Sequence, residues 1–330
     1  MLSHRERLLA CLNNDSALDR IPVALWRHFP VDDQNPITLA AATLNYQQQF
    51  DFDLVKVTPA SSFCLRDWGV EDKWEGDPEG TRRYTKRVVL SPKDWEKLPV
   101  LRPNSPHLAR QLECLKILRK ELGAETPILQ TIFNPLAQAK NLAGGETLLV
   151  HMRQYPEALL KGLEIIAEST RQFIEAAMGN GIDGIFYAIQ HAQSHLLSAG
   201  EFEKFSLPFD KTLLSSAHDL KFNMVHLHGQ NVLFAQVNSL PMNFLNWHDR
   251  DTDWSLTKGQ KQFDGVVCGG LKRETVVLGT QEEILAEIKD AMLQTQEHRF
   301  LLGTGCVVPI TAPYGNIKAV RTSVEQVTWA

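Results

Sequence analysis

The chain has 330 residues, 43% hydrophobic and 22% charged, with a formal net charge of -5 at pH 7. That length suits one large α/β barrel or two average domains, and the acidic balance argues against a nucleic-acid or membrane-surface partner. No apolar run approaches the roughly 18 residues of a membrane-spanning helix, and the opening Met-Leu-Ser-His-Arg-Glu-Arg lacks a signal-peptide core.

Residues 3–12 predict a short amphipathic helix, with Leu8, Leu9 and Leu12 at helical spacing and Ser3 with Glu6 as a capping box. Ile21-Pro-Val-Ala-Leu-Trp26 is the first apolar run and predicts a strand whose exit carries Arg27 and His28. A helix follows over 38–50, then a second strand, Asp53-Leu-Val-Lys-Val-Thr58, stopped by Pro59. The excursion over 66–90 holds the basic Thr81-Arg-Arg-Tyr-Thr-Lys-Arg-Val-Val-Leu90 and predicts a hairpin inserted after that strand. A helix over 105–122 leads to a third strand over 127–133.

A short helix over 135–142 ends at Gly144-Gly145, and Tyr155-Pro156 opens a longer one through Met178. The fourth strand is Gly184-Ile-Phe-Tyr-Ala-Ile189. Ser198 and Glu201 form a second capping box, whose helix is predicted to run to about Leu220. The fifth, sixth, seventh and eighth strands fall at 222–228, 243–248, 266–271 and 299–305, with a helix over 281–297 before the last. Eight apolar runs alternating with helices predict a closed (β/α)8 TIM barrel, one domain over 1–330, with an N-terminal helix and the hairpin as additions. An open doubly wound sheet is the rival, but no Gly-x-Gly-x-x-Gly follows an early strand.

Barrels of this kind place reactive groups at the C-terminal ends of their strands. Six of the eleven histidines lie just past predicted strand ends. The first strand offers Trp26, Arg27 and His28; the fourth Tyr187, His191 and His195; the fifth His226 and His228; the sixth Asn246, Trp247 and His248; the eighth Cys306. His226 and His228 are two apart, so on a strand they share a face. With Cys306 they suit zinc, which accepts imidazole nitrogen and thiolate and, in catalytic sites, keeps one position open. A hydrogen-bonded histidine pair beside an inert buried cysteine is the competing reading. His248 is a further ligand or an acid/base, Arg27 and His28 a clamp for a carboxylate or phosphate, and His191 and Asn246 further substrate contacts. Tyr187 is a candidate for catalysis, with packing the commoner role for such a residue. Five cysteines, scattered and without Cys-x-x-Cys, predict reduced thiols in a cytoplasmic protein.

These blocks, in order, resemble the uroporphyrinogen decarboxylase superfamily, which includes zinc-dependent methyltransferases that move a methyl group from a corrinoid to a thiol. The resemblance rests on Ile21 to Arg27, Asn134-Pro135 with Gly144-Gly145, Gly181 to Tyr187 with Phe202 to Pro208, His226-Leu-His-Gly229, Gly269-Gly-Leu271, and Gly303-Thr-Gly-Cys-Val-Val-Pro309 with Thr311-Ala-Pro313. It implies a (β/α)8 barrel independently of the strand count.

The decarboxylases carry Arg-Gln-Ala-Gly-Arg after the first strand, where this chain has Arg27-His-Phe-Pro30. Their aspartate after the second strand is replaced by Val57-Thr58-Pro59, a tyrosine before Gly-Gly by Lys140, and a histidine in Gly-His-Gly by Thr304. The missing aspartate counts against decarboxylation of that tetrapyrrole. The methyltransferase branch implies zinc ligands from His-x-Cys after the fifth strand and Gly-x-Gly-Cys after the eighth. Here these are His226, His228 in place of the middle cysteine, and Cys306.

Zinc-dependent methyl transfer between a corrinoid and a thiol, with a corrinoid carrier protein as a partner, is therefore the first expectation. A decarboxylase acting on uroporphyrinogen or another carboxylated substrate, with Arg27 gripping a carboxylate and His28 or His248 supplying protons, is the second. A tetrapyrrole- or corrinoid-binding protein without turnover is the third.

Overall fold

The structure is a computed structural model describing residues 2–326; Met1 and residues 327–330 of the expected 1–330 domain lie outside the described residues. After a first strand, β1 (Val55–Val57), the antiparallel hairpin β2 (Glu71–Lys73) and β3 (Arg83–Lys86) forms the predicted insertion. The chain then supplies β4 (Ile128–Phe133), β5 (Gly184–Ile189), β6 (Met224–Leu227), β7 (Phe244–Trp247), β8 (Val266–Leu271) and β9 (Phe300–Thr304). These six and β1 make one parallel sheet in the order β1-β4-β5-β6-β7-β8-β9, with helices packed outside. Every residue of those seven strands is buried, as a parallel sheet covered on both faces requires.

Residues 21–26, predicted as the first strand, close the gap between β9 and β1, but as a single bridge rather than a regular strand. Val23 pairs with Leu302. Ala24 N donates to Leu302 O at 3.0 Å, Leu302 N to Pro22 O at 2.9 Å, and Asp53 N to Val23 O at 2.9 Å. The ladder goes no further because Pro22 has no N–H and the Val23 N–H is taken by the Asp53 carboxylate at 2.8 Å. That carboxylate is fully buried and also receives Arg7 at 2.7 Å, Arg20 at 2.7 Å and His4 at 3.1 Å. Burial alone would raise its pKa; the hydrogen bond from His4 and the bonds and charges of Arg20 and Arg7 outweigh burial and hold it well below the ordinary range. Asp53 thus ties the N-terminal helix, His4–Asn13 with its Ser3–Glu6 capping box, to the barrel seam.

Two helical predictions need correction. A helix over Gly145–Gln154 follows the Gly144 turn where none is predicted. The helix after Ser198 is two, Ala199–Phe205 and Leu207–Ser216, because Ser206 leaves helical geometry and Pro208 enters the next first turn. Among the described residues no helix is long and apolar enough to cross a membrane.

Candidate metal centre

Strand register builds the site. On parallel strands, paired residues point to the same side, and His226 of β6 pairs with Asn246 of β7. His226 faces the barrel lumen, stacked on Phe186 of β5 with centroids 5.3 Å apart. His228 and His248 each lie two residues beyond that pair, so both face the lumen at its C-terminal mouth. The three imidazoles form a triangle with centroid separations of 5.8, 6.0 and 5.3 Å.

Cys306 arrives from the end of β9. Gly305 permits this: a Cβ there would lie 2.8 Å from Trp247 O and 2.7 Å from His248 Cα. Thr304 Oγ1 donates to Cys306 O and pins the turn. Cys306 Sγ lies 3.8 Å from His228 Nδ1, and one donor atom from each of His226, His228, His248 and Cys306 lies within 4.8 Å of the others. Gly229, at φ +90°, turns the chain away immediately after His228; a Cβ there would strike Gln193.

Asn246 fixes the tautomer of His226. Its Nδ2 donates to Cys268 O at 3.0 Å and Thr304 O at 3.1 Å, so its Oδ1 is the acceptor toward His226 Nδ1 at 2.7 Å. His226 therefore carries its proton on Nδ1 and directs the Nε2 lone pair at the cluster. Burial pushes the Cys306 thiol up, but the imidazoles of His226, His228 and His248 around it outweigh burial and hold the thiol well below its usual range. The same burial lowers His226. At His228 burial also acts downward, yet the bond and charge of Cys306 outweigh it and raise the imidazole. Free of their protons, these nitrogen and sulfur donors form a set that can hold a metal ion.

Other predicted site residues fall differently. Trp26 lines the lumen, edge-on to Phe186 at 5.3 Å. His191 is buried near His228 and Lys140, and burial pushes its pKa down to about 4. His195 is exposed and apart. His28 lies at the mouth, where Gly80 of the insertion packs on its Cβ. Burial, helped by the charge of Lys56, pushes His28 down to about 3. A shift in that direction disfavours the protonated ring.

Tyr187 needs a larger correction. Its neighbour Phe186 occupies the lumen, so Tyr187 points outward. Its hydroxyl donates to Asp210 Oδ1 at 2.8 Å, an oxygen that Asn134 also reaches, while Ser206 donates to Asp210 Oδ2. It is a packing residue of the helical layer, not a catalytic one. Asn246 is likewise corrected: fully buried and with every polar atom engaged, it positions His226 and has no atom free for a substrate. Arg27, next to the inward Trp26, lies over the Phe29 ring at 5.6 Å and donates to His28 O, away from the cluster. It is not the predicted carboxylate clamp. A lumen residue not predicted from the sequence is Lys56, the one inward residue of β1, whose amine sits 4.5 Å above the Phe186 ring.

Residues 3–327 match the family Uroporphyrinogen decarboxylase (URO-D). "Methylcobamide:CoM methyltransferase MtbA" of Methanosarcina acetivorans is 24% identical over 246 residues, 74% of this chain and 71% of the relative. A "Uroporphyrinogen decarboxylase" of Geotalea daltonii is 24% identical over 242 residues, 69% of this chain and 68% of the relative. The solved "methyltransferase from Methanosarcina mazei" superposes with a TM-score of 0.86 at 20% identity, covering 99% of each chain, which shows the same TIM-barrel fold. With that fold and a match across nearly its whole length, the chain belongs to the uroporphyrinogen decarboxylase family.

Proposed function

We propose that this protein is a zinc-dependent methyltransferase that moves a methyl group from a corrinoid, free or on a carrier protein, to a thiol. One observation carries the reading: a cysteine sulfur and three imidazole nitrogens converge within 4.8 Å at the mouth of the barrel. The donor set fits zinc in kind, in burial and in the tautomer of His226. His226, His228 and Cys306 would hold the ion.

When bound, zinc lowers the pKa of an incoming thiol so that it is a nucleophilic thiolate at neutral pH. His248 Nε2 is buried and has no hydrogen-bond partner among the described residues, while its Nδ1 lies 3.7 Å from Asp251. It stands ready to take the proton that the acceptor thiol releases. Trp26 and Phe186 wall the lumen and exclude water from that thiol. Arg27, the expected carboxylate grip of a decarboxylase, is turned toward Phe29, which favours the methyltransferase reading.

The reading is tested with zinc-loaded protein, methylcobalamin and 2-mercaptoethanol. S-methylation that tracks demethylation of the corrinoid, and that Cys306→Ala abolishes, is the expected result. Thiol methylation unaffected by Cys306→Ala, or none with fully loaded protein, overturns it.

A further inference from the structure

Phe186 has three lumen neighbours. His226 stacks on it, Trp26 stands edge-on to it, and the Lys56 amine lies 4.5 Å from its centroid. Lys56 is 8% exposed and Trp26 3% exposed. No carboxylate or other acceptor among the described residues receives the Lys56 amine, and Trp26 Nε1 is buried without an acceptor. A buried indole N–H lacking an acceptor is costly, and a lysine amine held over an apolar ring with no carboxylate beside it is open to receive one. Two nearby arginines are paired with carboxylates: Arg273 with Glu79, and Arg82 with Asp33 and Asp72.

We propose that Lys56 and the Trp26 indole N–H receive a carboxylate of the substrate, so that the acceptor is a small thiol carrying a carboxylate at its far end. The thiol half of this assignment rests on the zinc reading; the carboxylate half rests on Lys56 and Trp26 alone. Charge and donor count select the group. One ammonium neutralises one negative charge in an enclosed apolar setting, where a dianionic phosphate would keep an unbalanced charge. Two donor side chains match the two oxygens of a carboxylate, whereas the third oxygen of a sulfonate would lack a donor. Burial pushes the Lys56 amine down to about 7, against the opposing charge of Cys306.

The test uses cobalt(II)-loaded protein titrated with mercaptoacetate, 3-mercaptopropionate, 4-mercaptobutyrate and the neutral 2-mercaptoethanol, followed by the thiolate-to-cobalt absorption. At least one mercaptocarboxylate should bind about tenfold or more tightly than 2-mercaptoethanol. Lys56→Met should remove that preference while keeping metal stoichiometry and 2-mercaptoethanol affinity, which also shows the variant is folded. A second arm needs no metal: propionate and butyrate should raise the Tm of metal-free wild type and not that of Lys56→Met. A Lys56-dependent shift in a protein that takes up no metal would sink the zinc reading and keep the carboxylate site. Equal affinities for charged and neutral thiols in wild type, or a preference and a Tm shift that survive in Lys56→Met, overturn the carboxylate site.

Discussion

His226 Nδ1 sits 2.7 Å from Asn246 Oδ1 because β6 and β7 pair these two residues in register. That bond decides which histidine nitrogen faces the cluster, and the two backbone carbonyls on Asn246 Nδ2 decide which end of the amide it offers. Partners of this kind typically change metal affinity by about 10–100-fold. Asn246→Ala should therefore weaken zinc binding by roughly that range, read by competition with a chromophoric chelator, in protein whose circular dichroism is unchanged. Affinity within twofold of wild type would remove Asn246 from the site.

Gly305 marks where the turn after β9 presses against the end of β7. Adding a methyl group places it 2.8 Å from Trp247 O, and backbone cannot yield as a flexible side chain does. Overpacking of this kind costs about 1–3 kcal/mol. Gly305→Ala should lower the Tm by several degrees and zinc affinity by more than about tenfold through displacement of Cys306. A variant that loses stability but holds zinc as tightly as wild type would show that the Cys306 turn tolerates the shift.

Tyr187 tests the separation of lumen from helical layer. Its hydroxyl serves Asp210, which burial raises to about 6 against the hydrogen bonds of Ser206, Tyr187 and Asn134. Tyr187→Phe removes one of those donors and should cost about 1–3 kcal/mol in urea unfolding. Zinc content and thiol methylation should stay within about twofold, since a side chain outside the lumen meets no substrate. A hundredfold loss of turnover with zinc retained would put the phenol back in the chemistry.

Asp53 gives the barrel an acid limit. Its folded pKa is depressed, so the stability it contributes is present above the unfolded value near 4 and is lost as pH falls through the folded value. Wild type should lose unfolding free energy steadily below about pH 4. Asp53→Asn leaves the buried Arg20 without its carboxylate and takes one of the two carboxylates on Arg7, the other being Asp19, and should cost about 3–5 kcal/mol at pH 7. Its urea midpoint should vary less with pH than that of wild type between pH 4 and 2.5. Parallel pH profiles would mean that other carboxylates govern acid unfolding.

The chain order of the barrel is legible because each apolar run is bounded by proline, glycine or a capping residue, and the two-residue period of a strand by itself puts His226 and His228 on one face. Inward and outward positions within a strand are not legible in the same way. Gly184–Ile189 is buried on both faces, so no polar alternation separates lumen-facing Phe186 from outward Tyr187. The same ambiguity turns Arg27 away and Trp26 inward. Lys56 does carry a signal, a charge between the two buried valines of β1, which marks either a lumen residue or a mispredicted strand. The role of Asn246 depends on register with β6, and register is a property of paired strands rather than of either one.

X-ray absorption at the zinc edge of untagged, zinc-supplemented protein addresses the metal centre most directly. One zinc per chain is expected, with one sulfur at about 2.3 Å and the remaining ligands nitrogen or oxygen at about 2.0–2.2 Å. The sulfur count should rise to two on adding 2-mercaptoethanol and fall by one in Cys306→Ala. A protein that takes up no zinc, or a zinc shell without sulfur, would contradict the account.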